Sequence, residues 1–409
     1  MDSRLQKYIE VAVGVGVNIQ PGQNLVISCN TDQAHVARMA MAQAYRLGAA
    51  DVMISWSDEG TERTHYLMAP EDNFGKVTEW ERAKMQHTVD NKYHVLSIES
   101  DDPENYKGVD ENRIEKDDVA YSQMYKPRSD QTMSGEIQWS IFSVPSLAWA
   151  KKVFPKAISD EQALDQMWEA IYAASRIDHN DPVENWKAHI ATLQSKAKQL
   201  NNFRFASLHF KNSLGTDLTV QLPDGHNWLT CGEMAKTGFE FVANIPTEEV
   251  FTAPHREGVD GVVYATKPLV HYGELIENFW FRFEKGKVVE YKAEKNQHLL
   301  EKLLTTHEAA DFLGEVALVP HSSPISKSGI LWYETLYDEN AACHLALGEG
   351  YSDCITGAYG KSDEQQLAMG LNQSHEHTDF MIGSEDMDIV GITSQGQKVS
   401  IFKAGEWAI

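Results

Sequence analysis

Cysteine is scarce in this 409-residue chain, and Cys29, Cys231, Cys343 and Cys354 form no CxxC pair. That excludes a disulfide-built scaffold and fits a reducing compartment. No apolar run approaches the roughly 18–20 residues of a membrane span. The short stretch from Val11 to Val17 is interrupted by glycine and followed by no A-x-A cleavage pattern. Basic residues are also few: 36 Lys and Arg stand against 60 Asp and Glu, a formal net charge of -24. Such a surface repels phosphate backbones and anionic lipid, which disfavours nucleic acid and membranes as partners. The expectation is a soluble, cytoplasmic protein. An acidic surface also concentrates cations, which suits metal or amino-group binding, although solubility alone explains many acidic proteins.

Several familiar catalytic signatures are missing. Gly14-Val15-Gly16 lacks a third glycine and precedes the first strand instead of following it, so no dinucleotide fingerprint is formed. Gly360-Lys361-Ser362 ends like a phosphate-binding loop, but Ile355 occupies the place of its first glycine. His307-Glu308-Ala309-Ala310-Asp311 begins like a zincin helix and has aspartate where the second histidine belongs, which reads as an exposed helix end. No GxSxG and no cysteine-nucleophile signature occurs.

What is present is ordinary globular composition, 42% apolar and 23% charged, in a length that suggests two domains. The first part reads as α/β: a helix near Leu5–Val13, a strand at Asn24–Cys29, a helix over Ala34–Leu47 and a strand at Asp51–Trp56. Val95–Ile98 and Ile137–Phe142 add strands to a parallel or mixed sheet flanked by helices. Ser159 to Gln162 reads as a capping box opening a helix with Leu164, Met167, Trp168 and Ile171 inward. The next helix starts near Pro182 and repeats Trp186, Ile190, Leu193, Ala197 and Leu200 at helical spacing. From Asn202 the texture changes to alternation, with Phe203 and Phe205, then Leu218, Val220 and Leu222, on one side of a turn at Asn212–Thr216. We therefore expect an N-terminal α/β domain over 1–200 and a strand-rich α+β domain over 201–409.

The chemistry-bearing residues lie in that second half. In His375-Glu376-His377-Thr378-Asp379, an extended backbone puts His377 and Asp379 on one face, where both can meet one metal. Alone, such a pair is more often structural, and His375 reads as an outer residue or as uninvolved. Glu339 and His344 through Tyr351 form a second cluster among small residues, with Glu339 and His344 as candidate ligands and Tyr351 as a candidate donor to an oxyanion. Glu248 and Glu249 open a strand bounded by Pro254, and their parity lets only one face a site. Glu315 heads an apolar strand, where a carboxylate must bind metal or form a salt bridge.

Four ordered segments, Pro246 to Pro254, Gly314-Glu315, His344 to Gly348 with Tyr351, and Ser374 to Gly383, resemble the thermophilic-metalloprotease-type aminopeptidases, the family of aminopeptidases T and S. The resemblance covers essentially the whole chain. It implies a homodimer whose C-terminal, catalytic domain binds two divalent metal ions, zinc, cobalt or magnesium. Carried over by motif, Glu249, Glu315, Glu339, His344, His377 and Asp379 become metal ligands. Tyr351 becomes the active-site tyrosine, as a ligand or as a transition-state donor, and Glu315 counts among the catalytic residues. Asn340 to Cys343 departs from the family's glycine-containing run. The implied activity is removal of N-terminal residues from peptides with free N-termini, through a metal-activated water. Another dinuclear amidohydrolase, such as a dipeptidase or carboxypeptidase, and a non-catalytic peptide-binding protein are the alternatives.

Overall fold

The computed structural model describes residues 3–177, 181–271 and 274–409. The chain divides into two compact units, Met1–His189 with Cys231–Pro246, and Ile190–Thr230 with Thr247–Ile409.

The first unit is built on a five-stranded parallel sheet in the order Asn244–Ile245, Trp139–Ser143, His94–Glu99, Asn24–Asn30 and Asp51–Ser57. Parallel strands are covered on both faces and read as near-continuous apolar runs. Leu25, Val26 and Ile27 are accordingly all buried. The helix Ala34–Arg46 makes the crossover between Asn24–Asn30 and Asp51–Ser57, with Val36, Ala37, Ala40 and Ala44 buried at helical spacing. The first helix covers Ser3–Val11 and widens into a π turn over Ala12–Gly16. Segment 231–246, expected in the C-terminal domain, belongs to the first unit because Asn244–Ile245 pairs with Trp139–Ser143. Only a long-range pairing makes that assignment, so no local pattern announces it. The expected capping box is half formed. Ser159 Oγ accepts the Gln162 N–H at 3.1 Å, but Gln162 Oε1 accepts from Ile158 at 2.7 Å instead of from Ser159.

The helix Pro182–Phe203 buries Trp186, Ile190, Leu193, Ala197 and Leu200, as its spacing requires. Phe203, expected in a strand, closes this helix. Arg204 at φ 49° breaks the helical path, and Phe205 begins the strand.

The second unit holds two antiparallel sheets. The larger has nine strands and includes the hairpin Phe205–Lys211 and Asp217–Gln221, in which Leu208 faces Val220 and Phe210 faces Leu218. The smaller runs in the order His377–Met381, His344–Gly348, Leu313–Leu318, Val250–Thr252 and Leu229–Thr230. Leu313–Leu318 and His344–Gly348 are buried at every position.

Gly16 has little room for a side chain. A Cβ there would lie 2.6 Å from Ser140 Oγ and 2.9 Å from Ile245 Cδ1. Gly16→Ala is expected to cost about 1–3 kcal/mol through overpacking, measured as a lowered midpoint in urea unfolding. An unchanged midpoint would mean that the turn has slack that the geometry does not reveal.

Candidate metal centre

The smaller antiparallel sheet of the second unit carries four of the ionisable residues singled out in the sequence, Glu315, His344, His377 and Asp379. Directly opposed residues of antiparallel strands share a face. Phe251 opposes Ala317 and Ala317 opposes His344, while Glu315 opposes Ala346 and Ala346 opposes Asp379. Gly348 opposes His377. Glu249 immediately precedes Val250–Thr252. One face thus collects Glu315, His344, His377 and Asp379, interleaved with alanines whose single methyl groups leave room above the sheet.

Local irregularities aim these side chains. A bulge between Leu313 and Glu315 shifts the register against His344–Gly348, and bulges of this kind redirect a side chain. Gly314 sits at that bulge, where a Cβ would be 2.1 Å from the Glu349 carbonyl oxygen. Gly348, at φ +100°, meets the Glu376 carbonyl equally closely. Both imidazoles are fixed from behind. His377 donates its Nδ1–H to the Glu349 carbonyl at 2.8 Å, and His344 donates its own to the Ala342 carbonyl at 3.1 Å. Carbonyl oxygens only accept, so each Nε2 is left to face the carboxylates.

The resulting distances are short. His344 Nε2 lies 3.2 Å from Glu249, 4.0 Å from Glu315 Oε1 and 3.9 Å from Asp379 Oδ1. His377 Nε2 lies 3.1 Å from Glu315 Oε2 and 3.5 Å from Asp379 Oδ1. Two groups of potential ligands follow, Glu249 with Glu315 and His344, and Glu315 with His377 and Asp379. Glu315 belongs to both, one oxygen turned to each imidazole.

Burial works against a charged His344, but its bond to Glu249 and the charges of Asp379, Glu249 and Glu315 outweigh it and push the imidazole up to about 10. At His377 burial is likewise overcome, by the close carboxylates of Asp379 and Glu315, and the ring is pushed up to about 12. Burial raises Glu315, with a further push from the charge of Glu249. Glu339 is driven well above the carboxylate range by burial and then by Asp379 and Glu249. Asp379 moves the other way. Despite burial, the neighbouring imidazole of His377 holds it low.

These residues fit divalent cations. Asp379 Oδ1 is buried without a hydrogen-bond partner, an acceptor that a cation would satisfy. Four carboxylates, Glu249, Glu315, Glu339 and Asp379, would neutralise two dications while both imidazoles stayed neutral ligands.

A family model described as thermophilic metalloprotease (M29) matches residues 1–407. The chain belongs to the thermophilic metalloprotease family. It is 43% identical to "Aminopeptidase AmpS" of Bacillus subtilis (strain 168), with 100% of both chains covered. It is 41% identical to "Aminopeptidase 2" of Geobacillus stearothermophilus, over 100% of this chain and 98% of that one. The solved structure of wild-type AmpT from Thermus thermophilus matches with a TM-score of 0.92 at 37% identity, covering 99% of each chain.

Not every residue singled out in this thermophilic metalloprotease enters the two groups. Glu339 stands beside them in a 3-10 turn, accepting from Asn340 Nδ2 at 3.2 Å. Tyr351, 38% exposed, sits at the rim with its ring 4.8 Å from that of His377. Burial and the charges of Glu315, Asp379, Glu339 and Glu249 push its phenol far up. His375 is exposed and lies outside both groups. His307, expected on a helix end, lies beyond the helix Gln297–Thr305 and pairs with Glu376 at 3.1 Å. Ser362 opens the helix Asp363–Ala368 with a reciprocal capping box to Gln365, an ordinary helix start.

Sequence reasoning missed the spacer alanines Ala317 and Ala346, although each keeps the parity of a ligand two residues away. It also missed the role of Asn340, which is buried, donates to Glu339 and accepts the Glu248 N–H at 2.8 Å.

Proton uptake by this cluster sets a pH dependence. His344, His377, Glu315 and Glu339 all hold protons more tightly folded than unfolded, so their contribution to stability falls as pH rises. Asp379 acts oppositely, but only near its ordinary value of 3.8 and below. From the ordinary imidazole value of 6.5 towards about 10, chelator-stripped protein should therefore lose thermal stability. Added zinc should flatten that slope. Calorimetric scans at several pH values check this, and a stripped protein that gains stability across the window would contradict the arrangement.

Proposed function

We propose that the chain is a metal-dependent aminopeptidase that removes N-terminal residues from peptides with free N-termini, using two divalent ions held by Glu249, Glu315, Glu339, His344, His377 and Asp379. The observation that carries the dinuclear reading is the double membership of Glu315, whose oxygens Oε1 and Oε2 face different imidazoles. The names of the relatives and the family's description support the activity. Two imidazoles among carboxylates suit zinc or cobalt, with magnesium as the harder alternative.

Bound there, the ions would polarise the scissile carbonyl and acidify a water molecule. The protein's own groups do the rest. Glu315 keeps the two halves of the site in register. His344 and His377, held from behind by backbone carbonyls, cannot swing away. Tyr351, at the rim beside His377, would donate its O–H to the developing oxyanion or serve as a further ligand. A cytoplasmic homodimer is part of the same proposal, supported by the resemblance and, for the compartment, by four buried cysteines that form no disulfide among the described residues.

Chelation should abolish cleavage of aminoacyl chromogenic substrates, and zinc or cobalt should restore it for free but not N-acetylated substrates. Glu315→Gln should lower kcat/KM by more than the roughly 10–100-fold typical of outer-shell changes at metal sites. Equal cleavage of acetylated and free substrates would rule out the aminopeptidase reading. A fully active Glu315→Gln would rule out the shared carboxylate.

A further inference from the structure

One apolar element on the acid-lined face has no task in holding ions. Phe251 stands two residues beyond Glu249, so along the extended chain the two side chains share a face about 6–7 Å apart. Its ring is half-buried and lies 6.2 Å from Tyr351, edge-on, while the Tyr351 ring lies 4.8 Å from His377. Leu229, directly opposite Phe251 in the neighbouring strand, and Met369 are also half-buried. All three rest on a closed apolar cluster that includes Ala253, Cys354 and Leu371. The wall therefore has a packed base and a partly open top.

We propose that Phe251, with Leu229 and Met369, forms the subsite for the side chain of the substrate's N-terminal residue and gives the enzyme a preference for apolar residues there. The inference rests on the aminopeptidase reading. In the first residue of a peptide, one carbon carries the ammonium, the side chain and the carbonyl to be attacked. With that carbonyl over Glu315 and its partners, the side chain has two kinds of surface within reach. Glu249, Glu315, Glu339 and Asp379 offer charge, which costs free energy to desolvate against a hydrocarbon. The aromatic wall offers apolar contact without that cost. The polar end of the residue stays over the ligand cluster, and the side chain takes the wall. Phe251 follows Glu249 on one strand face, so the wall lies within reach of the side chain of a residue whose carbonyl sits over the ligand cluster.

The test uses zinc-loaded, full-length protein with leucyl and alanyl p-nitroanilides, whose leaving group is constant so that only the first residue varies. A second series of alanyl dipeptide amides varies the following residue. Phe251→Ala should reduce the leucyl-to-alanyl ratio of kcat/KM by about tenfold or more, within the range that apolar pocket contacts supply. Phe251→Leu should keep most of the ratio, and measurable alanyl turnover certifies that each variant is folded. Calorimetry should show weaker binding of free leucine to Phe251→Ala, with a smaller change for alanine. An unchanged ratio in turnover and binding would overturn the proposal, as would an effect confined to the dipeptide series, which would give the wall to the second residue. Failure of the unaltered protein to cleave any free-amine substrate would instead sink the aminopeptidase reading, and the leucine calorimetry would still decide whether the wall binds an apolar amino acid.

Discussion

The second unit depends on burying the carboxylate of Glu315 inside a strand that is closed to solvent at all six positions. A carboxylate taken out of water costs several kcal/mol unless opposite charge meets it at close range. Here two imidazoles do so from different sides, at 3.1 and 4.0 Å. Neither can be moved without leaving a Glu315 oxygen unmatched. The bulge at Gly314, the close backbone approach at Gly348 and the backbone anchors behind each imidazole are consequences of holding that arrangement. Substituting one partner alone would be worse than substituting both, because the remaining charge would stay buried.

The same cluster is over-supplied with negative charge. Even with both imidazoles protonated, four carboxylates exceed two positive charges, and Glu315 and Glu339 are displaced upward first by burial and then by the neighbouring acids. Protons are one remedy and divalent cations are another. Protons cannot satisfy every lone pair at once, as the unpartnered Asp379 Oδ1 records. On the proposed reading, fold stability and ion binding are two aspects of one electrostatic deficit, written into a sheet whose strands keep the ligands from drifting apart.

How much of this was legible in the sequence differs by the range of the interaction. Strands Asn24–Asn30 and Asp51–Ser57 and the helix between them were readable because apolar periodicity is local. His377 and Asp379 on one face followed from strand parity alone. Glu249, Glu315 and His344 were visible as acids and an imidazole in suggestive settings, but residue pattern could not bring segments separated by dozens of positions to one point. Only their ordered resemblance to a family did that. The return of Asn244–Ile245 to the first unit had no local signal, since a two-residue strand carries no period. Asn340, Ala317 and Ala346 escaped notice for a different reason. Their contribution is to brace or to stay small, and neither property stands out until the neighbours are known.

Parity also explains how one short strand can serve two kinds of chemistry. In Glu249-Val250-Phe251-Thr252, Val250 and Thr252 are buried and turn to the interior, while Glu249 and Phe251 turn to the site. Glu248 is buried as well, at 2% exposure, which agrees with the rule that adjacent acids cannot share a face. A shift of one residue in the pairing of Val250–Thr252 with Leu313–Leu318 would exchange the two sets. It would bury Glu249 and Phe251 on the wrong side and present Glu248 and Val250 to the cluster. The register is pinned by the bulk of Val250 on one side and by the bond of His344 to Glu249 on the other. Packing and electrostatics therefore select the same alignment, and the acid cannot be lost from the site without displacing the aromatic wall beside it.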